Sequence, residues 1–404
     1  MTDSPRSGGS RTDFRPETRI VHAGHDPRDH HGAVNPPVYH ASTITFPTVA
    51  DLKRSYARRF DDVYYGRYGT PTTQALDAAV AELEGGRWCV SVGSGMAAVS
   101  VVLMALLKAG DHLLMVDSVY WPTRHFCDTL LAGMGVRTTY YDPLIGAGIA
   151  DLIEPETRLV FTESPGSLTF ETQDVRAIAE AAHAAGALVA LDNTWATPIL
   201  FRPFDNGVDL SIQAATKYIV GHSDAMLGTV TMTDRALFER VKLVAGQVGH
   251  AVGADEAYLG LRGLRTLSAR LRQQGPAGLE VARWLQGRPE VARVLHPGLP
   301  DDPGHGLWRR DFAGVCGLFG VLLTPGPTAE AVAAMLDGMR LFRMGFSWGG
   351  YESLILDTTR SITRTATPWT HDGPSLRLHV GLEDPADLIA DLEAGFARLT
   401  GADG

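Results

Sequence analysis

Lys217 is the residue of this sequence whose setting points most directly to chemistry. It follows an apolar run that starts after Asp209 and precedes a turn that contains Gly221. A lysine at the end of a buried strand is held away from bulk water, which disfavours its ammonium form and frees its lone pair for attack on a carbonyl. About 25 residues earlier, the apolar run 187–191 ends in Asp192. An amine and a carboxylate at the ends of neighbouring buried strands are the two groups that a pyridoxal phosphate site requires.

Both residues also have a purely structural interpretation. Lysines are commonly exposed, and the carboxylate of Asp192 could simply cap the turn that follows it. However, the run before Lys217 is too apolar for an edge strand, and Gly221–Asp224 continues as a loop rather than as a solvated helix. The context therefore favours a reactive lysine with a carboxylate partner.

A glycine-rich turn supplies a third element. Gly93-Ser-Gly95-Met-Ala-Ala98 lies between an apolar strand and a helix, where exposed N–H groups bind phosphate. The same pattern fits the dinucleotide form G-x-G-x-x-A, and Asp117 follows about 20 residues later, so a nicotinamide dehydrogenase is an alternative. Tight packing of strand on helix would also explain the glycines. Lys217 and Asp192 favour a single phosphate, because a nicotinamide enzyme needs neither.

Three further side chains are candidates for binding. Tyr120 ends another strand at the same sheet edge, where its ring either stacks on a planar cofactor or fills the core. Arg67 presents a donor fork suited to phosphate, unless Tyr64–Arg67 is a plain surface loop. Arg377 alternates with apolar neighbours in Ser375–Val380, so it either faces solvent or clamps a substrate carboxylate in bidentate fashion.

The hydrophobic pattern predicts the elements that position these groups. From Thr72 onwards, apolar strands alternate with helices, which is typical of an α/β fold with a mostly parallel sheet between two layers of helices. We predict strands at 88–92, 112–116, 137–141, 159–162, 187–191 and 209–213. We predict helices at 73–83, 96–108, 123–134, 174–185 and 235–245, the last with Asp234 as its N-cap.

The two ends of the chain differ from this central part. Residues 16–70 look irregular, as in an arm that wraps around a neighbouring subunit. The C-terminal part mixes helices with strands, which predicts a smaller α+β domain. Its predicted elements, with the long helix before it, are helices at 257–273, 277–285, 329–339 and 385–399 and strands at 318–323 and 375–380. We therefore divide the chain into an N-terminal tail and arm (1–70), an α/β domain (71–265) and a C-terminal α+β domain (266–404).

Composition excludes several classes of protein. The 404 residues are 45% hydrophobic and 20% charged, which is typical of a soluble globular protein. The net charge of -10 argues against nucleic acid or an anionic membrane as partner. No apolar run approaches the roughly 20 residues that span a bilayer. The polar segment Met1–Arg15 lacks the apolar stretch of a secretory signal and is predicted to be a disordered tail.

The cysteines and histidines do not predict a disulfide framework or a metal site. The widely spaced Cys89, Cys127 and Cys316 fit no zinc pattern, and a reducing cytoplasm suits them best. Four histidines in the arm fit no common ligand spacing, and a flexible arm is a poor cage for a metal. These are His22, His25, His30 and His31.

Several segments together resemble the Cys/Met-metabolism family of pyridoxal-phosphate enzymes. Ile212–Met226 is similar to the lysine motif of the family, and Phe346–Leu354 and Leu376–Asp384 resemble C-terminal signatures of its β-lyase branch. Glu163–Ser167 and Asp192–Trp195 also match. The resemblance extends over nearly the whole chain, from about residue 18 to about residue 399.

The resemblance implies a fold, a cofactor and a reaction. The fold is that of the type I pyridoxal-phosphate enzymes, and the cofactor is pyridoxal 5'-phosphate. The expected reaction is β-elimination from L-cystathionine to homocysteine, pyruvate and ammonia, a step of methionine biosynthesis. Cleavage of other cysteine S-conjugates, γ-elimination and γ-synthesis are the alternatives, and a cofactor-binding protein without activity is a more remote one.

The resemblance also implies a role for each candidate around the cofactor. Lys217 is similar to the lysine that forms the Schiff base and then acts as general base. Asp192 is similar to the partner of the pyridinium nitrogen, and Tyr120 to the tyrosine that stacks on the ring and assists proton transfer. The residues similar to phosphate ligands are Gly95 and Met96, through backbone N–H groups, and Thr216, through its hydroxyl.

The remaining roles concern the substrate and a second subunit. Arg377 is similar to the residue that binds the α-carboxylate of an amino-acid substrate, and Ser347 and Trp348 match the segment that lines the substrate site. Tyr65 and Arg67 are similar to residues that reach the phosphate of the adjacent subunit. If they do so here, the site needs at least a dimer, and we expect a homotetramer built from dimers with shared active sites.

Overall fold

A seven-stranded sheet forms the centre of the larger part of the protein. The computed structural model describes residues 14–401, so most of the predicted tail, Met1–Asp13, lies outside the described residues. The strands are β1 (Trp88–Val92), β2 (His112–Val116), β3 (Arg137–Tyr141), β4 (Thr157–Glu163), β5 (Leu188–Asp192), β6 (Leu210–Gln213) and β7 (Gly228–Met232). They lie in the order β1-β7-β6-β5-β4-β2-β3, and only β7 runs antiparallel to its neighbours. The predicted mostly parallel sheet is confirmed.

Helices cover both faces of this sheet, and further helices belong to the C-terminal part. The helices are α1 (Pro16–His22), α2 (Val49–Ala57), α3 (Pro71–Glu84), α4 (Gly95–Leu106), α5 (Trp121–Phe126), α6 (Val175–Ala184), α7 (Thr197–Leu200), α8 (Arg235–Gln247), α9 (Ala254–Gln286), α10 (His305–Asp311), α11 (Ala329–Asp337) and α12 (Pro385–Thr400). The predicted cap of α8 is present, since the Asp234 carboxylate accepts the N–H of Leu237 at 2.9 Å. Within residues 14–401, no helix combines the length and the apolar character that crossing a membrane requires.

A second, antiparallel sheet organises the C-terminal part. Its strands are β8 (Val291–Leu295), β9 (Leu318–Leu323), β10 (Leu354–Asp357) and β11 (Ser375–His379), in the order β10-β11-β9-β8. Alternate residues of a strand point to opposite faces. Leu376 and Leu378 of β11 pack into a core with the end of α9, α11 and α12, so Arg377 and His379 lie on the other face.

Several predicted elements were wrong in detail. Helices 257–273 and 277–285 are one helix, α9, which continues through Pro276 because packing of its buried face outweighs one lost backbone hydrogen bond. Strands β7, β8 and β10 were missed, and the arm contains α1 and α2 where we expected irregular chain. The predicted domain boundary at 265/266 falls inside α9, and the division into domains stays a prediction.

The parallel strands fix where chemistry can occur. The carboxyl ends of β4, β5 and β6 lie at one edge of the sheet, and Glu163 is paired in register with Asp192. Ligands of open α/β sheets bind outside this edge. The chain after β6 leads directly to Lys217, and the chain after β2 leads to Tyr120.

Candidate active site

A cavity of about 420 Å³ lies at the carboxyl edge of the large sheet. Its wall combines the ends of β4 and β5, the start of α4, the turn after β6, and Arg377 of β11. Nine of the predicted site residues line it: Gly95, Met96, Tyr120, Asp192, Thr216, Lys217, Ser347, Trp348 and Arg377. The structure therefore brings together groups that are as much as 282 residues apart in sequence (Arg377 minus Gly95).

Lys217 is held in the cavity by polar and aromatic neighbours. Its Nζ donates to Ser347 Oγ at 2.6 Å and lies 5.4 Å from the centre of the Trp348 ring. Burial, reinforced by the charge of Arg377 and opposed by that of Asp192, lowers the pKa of Lys217 to about 8. A larger fraction of the amine is therefore neutral near pH 7 than for an exposed lysine.

Asp192 offers a buried carboxylate on the sheet side of the cavity. Its Oδ1 accepts the backbone N–H of Thr194 at 3.0 Å and the Thr194 hydroxyl at 2.5 Å. Burial raises its pKa, while the hydrogen bonds from Thr194 and the charge of Lys217 act in the opposite direction. A buried carboxylate with one anchored oxygen is suited to pairing with a cationic nitrogen of a ligand.

Glu163 is a site residue to which we assigned no role from the sequence. It ends β4 as Asp192 ends β5, and that repeated pattern was the available signal. Its Oε2 accepts the backbone N–H of Tyr120 at 2.8 Å, which fixes the chain that carries the Tyr120 ring. Burial and the neighbouring Asp192 raise the pKa of Glu163 well above its ordinary value. Burial also raises the pKa of Tyr120, so its phenol stays protonated at neutral pH.

The start of α4 is suited to an anion. The first N–H groups of a helix have no partner within the helix, and the helix dipole favours negative charge there. A Cβ at Gly95 would lie 2.4 Å from that of Ala214, so only glycine permits this approach of α4 to the turn after β6. The hydroxyl of Thr216 donates to the Leu227 carbonyl at 3.1 Å and accepts the Leu227 N–H at 2.8 Å.

The opposite wall is the loop Phe346–Gly350. Arg377 Nη2 donates to the carbonyl of Ser347 at 3.0 Å, and burial lowers the pKa of Arg377 to about 10. Ser347 has a φ of 80°, a left-handed conformation that is strained for a residue with a side chain. Phe346, whose side chain is 93% exposed, stands at the rim of the cavity.

The carboxylate of Asp117 does not contribute to a binding site at the glycine-rich turn. Its side chain is buried, pairs with Arg124, and accepts backbone N–H groups from Thr365, Ala366 and Thr367 at 2.8–3.3 Å. These contacts anchor the segment before β11 to the end of β2. The carboxylate that the dinucleotide alternative needs for a ribose is thus engaged elsewhere, which removes the structural basis of that alternative.

Tyr65 and Arg67 lie outside the cavity. Arg67 donates through Nη1 to the carbonyl of Gly246 and lies 4.8 Å from the ring centre of Tyr68. Tyr65 is partly exposed beside a separate surface depression. Their predicted contact with a phosphate in an adjacent subunit stays a prediction.

The residues present fit pyridoxal phosphate. One cavity holds an amine with a lowered pKa, a buried carboxylate, an aromatic side chain and a helix start that accommodates an anion. No cluster of three or more histidine, cysteine, aspartate or glutamate side chains that could hold a metal ion occurs in the part of the chain that the structure describes. The fold and the site together define a type I pyridoxal-phosphate enzyme.

Comparison with known proteins identifies the family. Residues 17–397 match the model of the Cys/Met metabolism PLP-dependent enzymes. A putative cystathionine β-lyase of Rhizobium johnstonii is 51% identical over 95% of this chain and 96% of its own length. Cystathionine β-lyase MetC of Escherichia coli K12 is 46% identical over 96% and 99% of the two chains. The chain belongs to the Cys/Met metabolism family of pyridoxal-phosphate-dependent enzymes, and the predicted family and cofactor are confirmed.

A solved structure agrees with this assignment. The crystal structure of metB from Corynebacterium glutamicum superposes with a TM-score of 0.90 at 30% identity, and the match covers 97% of this chain and all of that one. The predicted fold is therefore confirmed over nearly the whole length. The roles of individual site residues stay predictions.

Proposed function

We propose that the protein is a carbon–sulfur β-lyase that cleaves L-cystathionine to homocysteine, pyruvate and ammonia and so serves methionine biosynthesis. The observation that carries this proposal is the buried Lys217 amine, placed in one cavity with Asp192 and Arg377. The names of the relatives from Rhizobium johnstonii and Escherichia coli agree with the predicted reaction.

The chain's own groups would hold the cofactor at both ends. The N–H groups of Gly95 and Met96 would bind its phosphate. The hydroxyl of Thr216 would also bind it, by turning its proton from the Leu227 carbonyl to the phosphate. Asp192 would pair with the ring nitrogen. Tyr120 would stack on its ring. When bound, pyridoxal phosphate supplies an electron sink for negative charge that develops at the substrate α-carbon.

Arg377 and Lys217 would have separate roles toward the substrate. Arg377 would bind the α-carboxylate in bidentate fashion and orient the α-carbon–hydrogen bond. Lys217 would remove the α-proton, since its lowered pKa provides neutral amine near pH 7. The Ser347 hydroxyl, 2.6 Å from Nζ, would keep the amine aimed at that proton.

Departure of the thiol requires a proton at the sulfur. Homocysteine leaves from the β-carbon, and either Lys217, which now carries the α-proton, or Tyr120 would protonate it. Tyr120 is available for this task because its phenol is protonated at neutral pH. Trp348 at the cavity wall would limit access of water during the step.

We further propose that the protein forms a homotetramer built from two dimers with shared active sites. We also propose that it resides in a reducing cytoplasm. Tyr65 and Arg67 lie outside the cavity of their own chain, which is the placement expected if they complete the site of a neighbour. Cys89, Cys127 and Cys316 are free and buried, as expected of a protein that needs no disulfides.

The test is identification of the keto acid that purified holoenzyme forms from L-cystathionine. Pyruvate together with homocysteine supports β-elimination. Formation of 2-oxobutyrate and cysteine would instead establish γ-elimination, and absence of any keto acid would refute lyase activity on this substrate. Cysteine S-conjugates tested in parallel would show whether cystathionine is the preferred substrate by its kcat/KM.

A further inference from the structure

Strand β11 holds the loop Phe346–Gly350 at two points. Arg377 Nη2 donates to the Ser347 carbonyl at 3.0 Å, and His379 Nε2 lies 3.1 Å from the backbone nitrogen of Gly349. The two side chains are alternate residues of one strand and so share a face. Arg377 has a task in the proposed reaction, whereas His379 has none so far.

The contacts of His379 define its tautomer. The backbone N–H of Gly349 is a donor, so Nε2 must offer its lone pair and the ring proton must reside on Nδ1. The alternative is an Nε2–H that donates to the carbonyl of Gly350 at 3.3 Å. That contact is the longer of the two, and the Gly350 carbonyl is already satisfied by Gln274 Nε2 at 2.7 Å, whereas the buried N–H of Gly349 needs an acceptor. The hydrogen bond with Gly349 is therefore the better use of Nε2.

The surroundings keep this imidazole neutral. His379 is 1% exposed, and its ring centre lies 5.9 Å from that of Tyr218. Burial, together with the charges of Arg377 and Lys217, lowers the pKa of His379 to about 4. Its Nδ1 is buried without a hydrogen-bond partner among residues 14–401. An apolar side chain would avoid that unsatisfied atom, so packing alone does not account for a histidine at this position.

We propose that His379 is a positioning residue for the reaction at Lys217, because its acceptance of the Gly349 N–H fixes the loop that supplies the hydroxyl partner of Nζ. The connection is short. Gly349 has a φ of 84°, and a Cβ on it would lie 2.9 Å from the carbonyl carbon of Lys217, so the loop backbone packs directly on the lysine. Without the acceptor, Ser347 would lose its fixed distance to both Lys217 and Arg377.

The experiment compares two substitutions in the holoenzyme. His379→Leu removes the acceptor, whereas His379→Gln offers an amide oxygen near the position of Nε2. We expect H379L to lower kcat at least about tenfold and to raise KM, since one buried hydrogen bond is lost. The pKa read from the visible absorption of the bound cofactor should move by at least about half a unit. We expect H379Q to restore kcat to within about threefold and to return that pKa to its wild-type value.

His296 provides a matched control. It is also buried and neutral, with a pKa lowered to about 4 by burial, and its Nδ1 accepts the N–H of Gly298 at 2.9 Å. It does not line the cavity. His296→Leu should lower the melting temperature while kcat and the absorption pKa stay at wild-type values.

Two outcomes overturn the proposal. One is an H379L enzyme whose kcat and absorption pKa match those of H296L; the other is an H379Q enzyme as impaired as H379L. If H379L does not fold, Gln274→Leu tests the same loop from its other anchor, and an unshifted absorption pKa there counts against the proposal. The kcat comparison rests on the proposed function, but the absorption comparison needs only bound cofactor. A wild-type enzyme inactive on cystathionine would therefore refute the function and leave the role of His379 testable.

Discussion

Lys217 Nζ and Ser347 Oγ lie 2.6 Å apart, although 130 residues separate them in sequence. Lys217 follows the last parallel strand of the large sheet, and Ser347 precedes β10 of the small sheet. The Lys217 amine thus sits where the two parts of the chain meet. Its position depends on the packing of both parts.

Replacement of Lys217 by alanine tests its role as base. We expect β-elimination to fall at least about a thousandfold, or roughly 4 kcal/mol of activation free energy, because no other amine among residues 14–401 lines the cavity to take the α-proton. Steady-state pyruvate formation measures the effect, with the exposed Lys53→Ala as control. Turnover of K217A within tenfold of wild type would contradict the assignment. Borohydride should fix the cofactor covalently to Lys217 in K53A but not to position 217 in K217A. Mass spectrometry of the reduced proteins locates the attachment.

The lowered pKa of Lys217 predicts how the stability of the cofactor-free protein depends on pH. The pKa is about 8 in the folded chain and has an ordinary value of 10.5 in the unfolded chain. Between these values the unfolded state binds more protons, so the free energy of unfolding rises with pH; below about pH 8 the burial penalty of the ammonium is fully present. As the pH rises from about 8 to 10.5, the free energy of unfolding of the wild type should increase by about 1–3 kcal/mol relative to that of Lys217→Met. Urea unfolding at several pH values measures it, and a constant difference between the two proteins would exclude the shift.

Asp192 is expected to be essential for the electron sink. Asp192→Asn should lower kcat at least about a hundredfold, because an amide does not keep the ring nitrogen of the cofactor protonated. Thr194→Val removes one of the two hydrogen bonds that anchor the carboxylate, and we expect it to lower kcat only about tenfold. Full activity of D192N, measured with saturating cofactor, would rule out the proposed pairing.

Arg67 allows a test of the shared site. Arg67→Ala and Lys217→Ala should each be nearly inactive alone. Mixed after dissociation and reassembly, equal amounts should recover about a quarter of wild-type activity, since half of the dimers are hybrids and each hybrid has one intact site. Native mass spectrometry of the same mixture, in which hybrid dimers differ in mass from both parent dimers, controls for subunit exchange. No recovery from the mixture of mutants, with exchange demonstrated, would place Arg67 outside the neighbouring site.

Part of the fold and site was predictable because the signals are local. Lys217 and Asp192 both follow apolar runs, and parallel strands direct their carboxyl ends to one edge, so the pattern places the two groups together. The same reasoning missed β7, β8 and β10, whose four or five residues carry too short an apolar pattern to distinguish a strand from a loop. It also split α9 at Pro276, since the packing that carries the helix through the proline cannot be read from its own residues.

The sequence by itself determined the alternation of strands and helices, the sheet edge at which the candidate site lies, and, through its motifs, the family and cofactor. Only the tertiary structure decided which polar groups meet. Asp117 fits a ribose ligand in the sequence, yet it anchors the segment before β11, and His379 reads as one more strand residue, yet it holds the loop beside Lys217. The physical reason is that hydrophobic periodicity is a property of neighbouring residues, whereas a buried hydrogen bond depends on how distant segments pack.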